Sequence, residues 1–205
     1  MSSRLARAVA VTLWLAACAK TDEVVPPLDE AGRAMLDPRR ARAIDRDGLV
    51  RLLLGRGDPR GKIVADVGCG PGFFTEAIAR SIGARGAIVL TDVRPDYLVH
   101  ARHRALSVIR DVRTVVPQPG HVELGAGSVD AVLMVQVDHL FGARREAMLV
   151  EAFAALRAGG RLLIAGAPRN RVPDAIVGAL VRRGATVSRD RGELRVPLEV
   201  VLADR

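Results

Sequence analysis

The sequence predicts an α/β fold, a doubly wound and mostly parallel sheet of seven strands with an antiparallel terminal hairpin. Short buried strands alternate with amphipathic helices along most of the 205 residues, as in parallel strands joined by crossover helices. A glycine-rich turn follows the first strand. A short link joins the last two strands, which favours an antiparallel pair at the sheet edge. The composition, 49% hydrophobic and 26% charged, is that of a folded globular protein.

The individual elements follow from the spacing of apolar residues. Residues 29–54 have helical spacing and are predicted as one or two amphipathic helices, ended by the breaker at 55–59. The predicted strands lie at 62–67, 87–90, near Val115, and at 129–135, 161–165, 185–188 and 196–202. Further helices are predicted after Phe74 and over 95–109, 143–156 and 173–181.

Residues 1–17 have the features of a bacterial export signal: a basic start, a ten-residue apolar core and small residues at its end. The core is too short to span a bilayer, which needs about 20 residues. Residues 15–18, LAAC, resemble the lipobox of bacterial lipoproteins. This implies lipidation of Cys18, a tether over 18–28 and a membrane-anchored location in the cell envelope. The alternative is a buried N-terminal helix. If the signal is not used, we expect a cytoplasmic protein.

The charge and the cysteine count narrow the function classes. The net charge is +8, but only two of the 31 basic residues are lysine, and the arginines are spread among 23 acidic residues. Six aromatic residues are too few for a base-stacking platform, so we expect no nucleic-acid partner. Two cysteines exclude a disulfide framework and a cysteine-based zinc site, and we expect no metal.

The strongest motif is the segment DVGCGPG, which runs from Asp66 through Gly68 and Gly70 to Gly72 between a strand and a helix. Glycine lets the backbone approach a ligand closely, and the helix that follows presents free N–H groups. A dinucleotide fingerprint would need glycine where Phe73 stands. The Gly-Lys-Ser/Thr of a P-loop is absent.

A second acid, Asp92, ends the second strand, 20 residues beyond Gly72. At that spacing a carboxylate lies beside the glycine loop and can accept hydrogen bonds from ribose hydroxyls. Asp92 could also cap the helix that begins near Pro95. The two roles are compatible.

Over roughly residues 35–205 the chain resembles the class I S-adenosylmethionine (SAM)-dependent methyltransferases. The glycine motif at 66–72 and the acid Asp92 match that family. The segment 128–134 resembles its fourth-strand motif, and the segment 156–164 resembles its entry to the fifth strand. The resemblance implies the Rossmann-like methyltransferase fold and SAM as the cofactor.

In that family the glycine loop holds the methionine portion of SAM and the second-strand acid holds the ribose. The resemblance implies that the SAM-binding residues are Asp66, Gly68, Cys69, Gly70, Gly72, Asp92, Val93, Gln118 and Gln136. Many relatives have an acid after the third strand that contacts the adenine amine. Gln118 stands at that place here, and its side-chain carbonyl could accept the same hydrogen bond.

Residues after the fourth strand face the methyl group and the acceptor in this family, which here gives Gln136, Asp138 and His139. His139 is the candidate general base; the alternative is a packing histidine. Asp138 is a second catalytic candidate, although a cap or loop-ordering role suits it better. The segment 135–138 is not the Asn/Asp-Pro-Pro-Tyr/Phe motif of enzymes that methylate amino groups of DNA bases or glutamine.

Residues 18–28 are predicted as the tether and 29–205 as one methyltransferase domain, in which 29–60 form a helical lid. No large insertion follows the fifth strand, so a small-molecule or lipid-like acceptor is predicted. The alternative function is a lipid-anchored binding module that keeps the fold without turnover. It arises because SAM is made in the cytoplasm, whereas the lipobox predicts export.

Overall fold

The computed structural model describes residues 24–189 and 198–205. The predicted signal peptide, Cys18 and the first part of the tether therefore lie outside the described residues. No helix in the described ranges has the length and apolarity that crossing a bilayer requires.

The seven predicted strands form one sheet with the order β3-β2-β1-β4-β5-β7-β6. The strands are β1 (Ile63–Val67), β2 (Ala87–Thr91), β3 (Asp111–Val115), β4 (Val129–Val135), β5 (Leu156–Gly166), β6 (Thr186–Arg189) and β7 (Glu199–Asp204). β1 to β5 pair in parallel, and β7 runs antiparallel to both β5 and β6. The predicted fold class is confirmed, including its antiparallel terminal strands.

Seven α-helices and two 3₁₀ helices occupy the described residues. The α-helices are α1 (Glu30–Met35), α2 (Pro38–Ala43), α3 (Arg46–Leu54), α4 (Thr75–Ile82), α5 (Pro95–Leu106), α6 (Arg145–Ala154) and α7 (Asp174–Val181). The 3₁₀ helices span Asp138–Arg144 and Pro168–Asn170. Residues 29–54 thus form three short helices rather than one or two, because the side chains of Asp29, Asp37 and Asp45 each cap a new helix start.

The helix predicted over 143–156 is wrong at both ends. Its first residues form a 3₁₀ turn, and Leu156 begins strand β5, where it pairs with Val129. A register shift between Val129 and Ala131 accommodates the extra residues of β5. Gly160 permits this bulge, because a Cβ there would lie 2.8 Å from the Arg157 carbonyl oxygen.

Hydrophobic layers cover both faces of the sheet. One layer holds the buried side chains of α3, α4 and α5, including Leu49, Ile78 and Leu98. The other holds those of α6 and α7, including Leu149 and Leu180. Helix α3 therefore belongs to the core, and only α1 and α2 of the predicted lid segment 29–60 reach the cavity described below.

Candidate functional site

A cavity of about 870 Å³ lies at the carboxyl ends of β1, β2 and β4. The strand order reverses between β1 and β4, and ligands bind at this switch point in doubly wound sheets. The volume is in the range of small-molecule sites, roughly 300–1,000 Å³. The glycine loop and Asp92 form one wall, here called the loop wall. Helices α1 and α2 with Gln136 form the opposite wall, here called the cover wall.

Backbone geometry fixes the loop wall. Gly68, Gly70 and Gly72 have φ values of 66°, 54° and 92°, the left-handed region that favours glycine. The backbone N–H groups of Gly68 and Cys69 donate to the carbonyl oxygen of Thr91 at 2.8 and 3.0 Å. These bonds tie the loop to the end of β2.

Two of the three glycines are needed for packing. A Cβ on Gly68 would lie 2.3 Å from Val137 Cγ2, and a Cβ on Gly72 would lie 2.7 Å from the Cα of Ala101. Gly70 differs, because among the described residues the only neighbour of its Cβ position within 4 Å is Met35 Sδ, at 3.3 Å. Gly70 lines the cavity, and a ligand against its backbone would need only the flexible end of the Met35 side chain to move.

Asp92 connects the glycine loop to the start of α5. Its Oδ2 accepts from the N–H of Gly70 at 2.8 Å, and its Oδ1 accepts from the N–H of Arg94 at 2.9 Å. Each carboxylate oxygen has a second lone pair that can accept from a ligand hydroxyl. The next residue, Val93, is 75% exposed and lines the cavity.

Asp66 is a buried acid at the base of the loop wall, with only 3% of its surface exposed. The hydroxyl of Thr75 donates to its Oδ2 at 3.0 Å. Burial raises the pKa of Asp66 to about 7, the Thr75 hydrogen bond opposes this, and the nearby Asp92 charge adds to it. A cation at this end of the cavity would favour the ionised form.

Cys69 is buried and is the only cysteine among the described residues. Burial, with smaller effects from Asp66 and Asp92, raises the pKa of its thiol. The thiol is therefore protonated and unreactive. Cys69 contributes its backbone to the loop wall.

Gln136 follows β4 in a left-handed conformation, with φ of 58°, which is uncommon for a residue other than glycine. Its N–H donates to the Ala165 carbonyl oxygen at 2.7 Å. Its Oε1 accepts from Nη2 of Arg40 at 2.9 Å. This contact joins residues 96 positions apart and connects α2 to the sheet.

Arg40 is a site residue that the sequence analysis missed. Its Cζ lies 4.3 Å from the centroid of the Phe73 ring, and its Nη1 donates to the Met35 carbonyl oxygen at 3.1 Å. Burial lowers the pKa of Arg40. Nothing in the local sequence distinguishes it, because arginines also stand at 39 and 42.

Gln118 lines the cavity beyond β3. Its side chain is exposed, and its backbone N–H donates to Oε1 of Glu123 at 3.1 Å. The side-chain amide is therefore available to a ligand.

The two catalytic candidates lie in the 3₁₀ helix after β4, and neither is among the residues that line the cavity. Asp138 is fully buried, and its Oδ2 accepts from Nε of Arg145 at 2.9 Å. Arg145 also donates to the Asn170 carbonyl oxygen, so Asp138 orders the loops around it. Nδ1 of His139 is buried without a hydrogen-bond partner in the described ranges. A catalytic role for either residue stays a prediction.

The cover wall is attached to α5 by a charged cluster. Oδ1 of Asp29 accepts from the N–H of Gly32 at 2.7 Å and from the Tyr97 hydroxyl at 2.9 Å, and Oδ2 pairs with Nη1 of Arg94 at 2.6 Å. These hydrogen bonds, led by that from Arg94, lower the pKa of Asp29 to about 2. Arg94 also pairs with Asp96. The start of α1 is thus held over the loop wall.

The comparisons with known proteins agree with this geometry. Residues 64–160 match the family model described as a methyltransferase domain. No curated protein matches the sequence. A SAM-dependent methyltransferase from Aquifex aeolicus has a similar structure, with a TM-score of 0.66, 20% identity, and coverage of 87% of this chain and 99% of that one.

Two further solved structures are similar. Magnesium protoporphyrin IX methyltransferase from Synechocystis with bound SAM has a TM-score of 0.64 and 19% identity, over 88% of this chain and 86% of that one. A protein from Bordetella parapertussis described as a possible exported protein has a TM-score of 0.61 and 18% identity, over 78% and 67%. The chain thus has the fold of SAM-dependent methyltransferases. The matched domain and this fold indicate SAM as the cofactor.

Proposed function

We propose that this methyltransferase domain binds SAM between the loop wall and the cover wall and transfers its methyl group to a small-molecule or lipid-like acceptor. One observation carries the proposal. Gly70, whose N–H donates to Asp92, lines the cavity together with the carboxyl groups of Asp66 and Asp92.

The residues of the loop wall fit the chemistry of SAM. Asp66 is a buried carboxyl group without a cationic partner in the described ranges, and the methionine portion of SAM carries a cationic ammonium. Asp92 has free lone pairs for the ribose hydroxyls. Gln118 offers an amide to the adenine. The backbone at Gly70 leaves space that a side chain would fill.

When bound, SAM supplies a methyl group activated by a positively charged sulfur. The protein then has to position donor and acceptor in line and exclude water. The cover wall suits this task, because Met35 lies over Gly70 and Arg40 bridges α2 to Gln136. An acceptor of moderate size is favoured because the cavity is bounded on both sides.

Isothermal titration of the full chain with SAM and with S-adenosylhomocysteine tests the cofactor. We expect Asp92→Asn to weaken binding by about tenfold or more, since it removes charged hydrogen bonds. Asp111→Asn is the matched control, because Asp111 lies on edge strand β3 outside the cavity and pairs with Arg113 at the surface. Equal effects of the two variants, or absence of binding by the folded protein, would contradict the proposal.

We also propose that Cys18 is lipidated after export, so that the domain is anchored at the cell envelope. The lipobox supports this, and a structure described as a possible exported protein has the same fold. Cleavage before Cys18 would remove Trp14, which is the only tryptophan of the chain. The intact mass and tryptophan emission of membrane-extracted protein test this. Retention of Trp14 in all of the material would overturn it.

The second candidate function is a lipid-anchored module that binds ligands in the same cavity without turnover. The location of SAM synthesis in the cytoplasm favours it if export occurs. Methyl transfer from isotopically labelled SAM to acceptors in an envelope extract separates the two functions. Labelled product supports the enzyme, and SAM binding without product supports the module.

A further inference from the structure

The cavity holds more positive charge than SAM can neutralise. Three arginines line it, namely Arg40, Arg94 and Arg144. Arg94 is neutralised by Asp29 and Asp96. Within residues 24–189 and 198–205, no carboxylate lies within ion-pair distance of Arg40 or Arg144. Two guanidinium groups therefore face the cavity without a counter-charge.

The charge of Arg40 is the less favourable of the two in the unliganded protein, because Arg40 is half-buried. A guanidinium has five N–H donors, and Arg40 uses two of them, toward Gln136 and the Met35 carbonyl oxygen. Both of those partners are neutral, as is the Phe73 ring beneath it. A desolvated cation without a counter-charge is unfavourable unless a ligand supplies one.

Arg144 ends the 3₁₀ helix after β4 and lies against the loop that follows β3. Its Nε would be 3.0 Å from a Cβ on Gly120. Its side chain is exposed at the cavity. Arg144 can therefore reach a ligand that enters through the opening.

The charges of SAM account for only part of this arrangement. SAM has two cationic groups and one carboxylate. Asp66 supplies negative charge for its ammonium group, Asp92 accepts from its ribose hydroxyls, and its single carboxylate can neutralise one arginine. One guanidinium is left over, whichever of Arg40 and Arg144 the carboxylate occupies.

Large apolar side chains are among the exposed residues that line the cavity. Leu140 is 71% exposed and Met35 is 37% exposed, and both line the cavity with Val93. Exposed apolar side chains at the rim of a pocket favour a ligand with a hydrophobic body. The same ligand would bring its charged group to the remaining arginine.

Building on the proposed function, we propose that the methyl acceptor is an amphiphilic acid. Its apolar body contacts Met35, Val93 and Leu140, and its anionic group, a carboxylate or a phosphate, binds the guanidinium of Arg40 or Arg144 that SAM leaves free. Planar guanidinium groups bind both kinds of anion through paired hydrogen bonds.

The test uses three probes with one apolar body: 2-naphthoate, 2-naphthyl phosphate and 2-naphthamide. Each is titrated into the full chain saturated with S-adenosylhomocysteine, whose own carboxylate is then in place. We expect at least one of the two anions to bind about tenfold more tightly than the neutral amide, and their order distinguishes carboxylate from phosphate. If neither anion binds more tightly than the amide, the proposal is overturned.

Variants of the two arginines show which guanidinium group binds the anion. The double variant Arg40→Gln/Arg144→Gln is expected to lose the preference for the anion, and the two single variants identify the residue responsible. Arg39→Gln is the matched control, because it removes the same charge from α2 at an exposed residue. A preference that survives in the double variant would overturn the proposal.

A second pair of ligands separates this proposal from the cofactor. The arginine that holds the SAM carboxylate is needed for S-adenosylhomocysteine but not for 5′-methylthioadenosine, which lacks the amino acid portion. If S-adenosylhomocysteine does not bind at all, the proposed function fails. The probe titrations are then made on the free protein, where loss of the anion preference still tests the arginines independently.

Discussion

Different interactions determine the conformations of the two walls of the cavity. The loop wall comes from one continuous segment and one strand end, and steric limits on backbone conformation shape it. The cover wall comes from segments far apart in the chain, such as Arg40 with Gln136 and Asp29 with Arg94, joined by polar side chains. The conformation of the loop wall is thus fixed by its own backbone. The cover wall can vary without disturbing the core, so we expect it to determine the acceptor.

Replacing Gly68 should have the largest effect on stability, because the new side chain would disturb the packing of the loop wall. Gly68→Ala places a Cβ 2.3 Å from Val137 Cγ2 at a φ of 66°, and we expect a loss of about 2–4 kcal/mol in the free energy of unfolding. Gly127→Ala is the control with a φ of 61° and open space around its Cβ, and should cost about 1–2 kcal/mol. Urea unfolding followed by circular dichroism compares them. Equal losses would show that packing at Gly68 is not limiting.

The next prediction concerns protonation of Asp66 in the loop wall. In the proposed complex, ionised Asp66 lies against the ammonium group, and the pKa of Asp66 in the free protein is about 7. Affinity for S-adenosylhomocysteine should therefore fall as the pH drops below 7, by up to about tenfold per pH unit. Asp66→Asn should remove this dependence. Titration calorimetry at about pH 5.5, 6.5 and 8 measures it, and a flat profile in the unmodified protein would contradict the assignment.

The same group affects the stability of the unliganded protein. Asp66 has a higher pKa folded, about 7, than its ordinary value of 3.8, so the native state binds more protons between these values. The contribution of Asp66 to the free energy of unfolding must therefore fall as the pH rises from about 4 to 7. Asp66→Asn should flatten this part of the stability profile measured by urea unfolding. An unchanged slope would contradict the raised pKa.

The smallest predicted effect is at the cover wall. Asp29→Asn removes the ion pair with Arg94 at the start of α1, and we expect S-adenosylhomocysteine to dissociate about threefold faster while the unfolding midpoint barely changes. Asp58→Asn breaks a comparable exposed pair with Arg60 outside the cavity and should leave dissociation unchanged. Surface plasmon resonance gives both rates. Similar rates in the two variants would show that the Asp29 cluster does not hold the cover.

Acid should loosen the same attachment. The pKa of Asp29 is lowered from 3.8 to about 2, so its stabilising contribution is complete above about pH 4 and is lost as the pH falls toward 2. The cover wall therefore stays attached at neutral pH.

Sequence patterns predicted the loop wall well because its determinants are local. The strand before Asp66, the spaced glycines and the acid Asp92 form a signal within about 30 residues of sequence. The helix predicted over 143–156 shows where prediction from local spacing fails. Leu156 is at helical spacing from Leu149 and Phe153, yet pairing with Val129 places it in β5, because tertiary contacts override local spacing.

The cover wall could not be predicted in the same way. Arginines also stand at 39 and 42 in α2, and the role of Arg40 depends on a contact with Gln136 that only the folded chain brings about. Gln136, which the resemblance implies as a SAM-binding residue, lines the cavity. The resemblance also offered Asp138 and His139, whose positions in the 3₁₀ helix leave them outside the lining.

A crystal structure of the full chain with S-adenosylhomocysteine would show whether the cofactor binds against the loop wall. We expect ribose hydroxyls within hydrogen-bond distance of the Asp92 carboxylate and the amino acid portion against the backbone at Gly70. A ligand bound away from the loop wall, or one whose ribose does not contact Asp92, would contradict it.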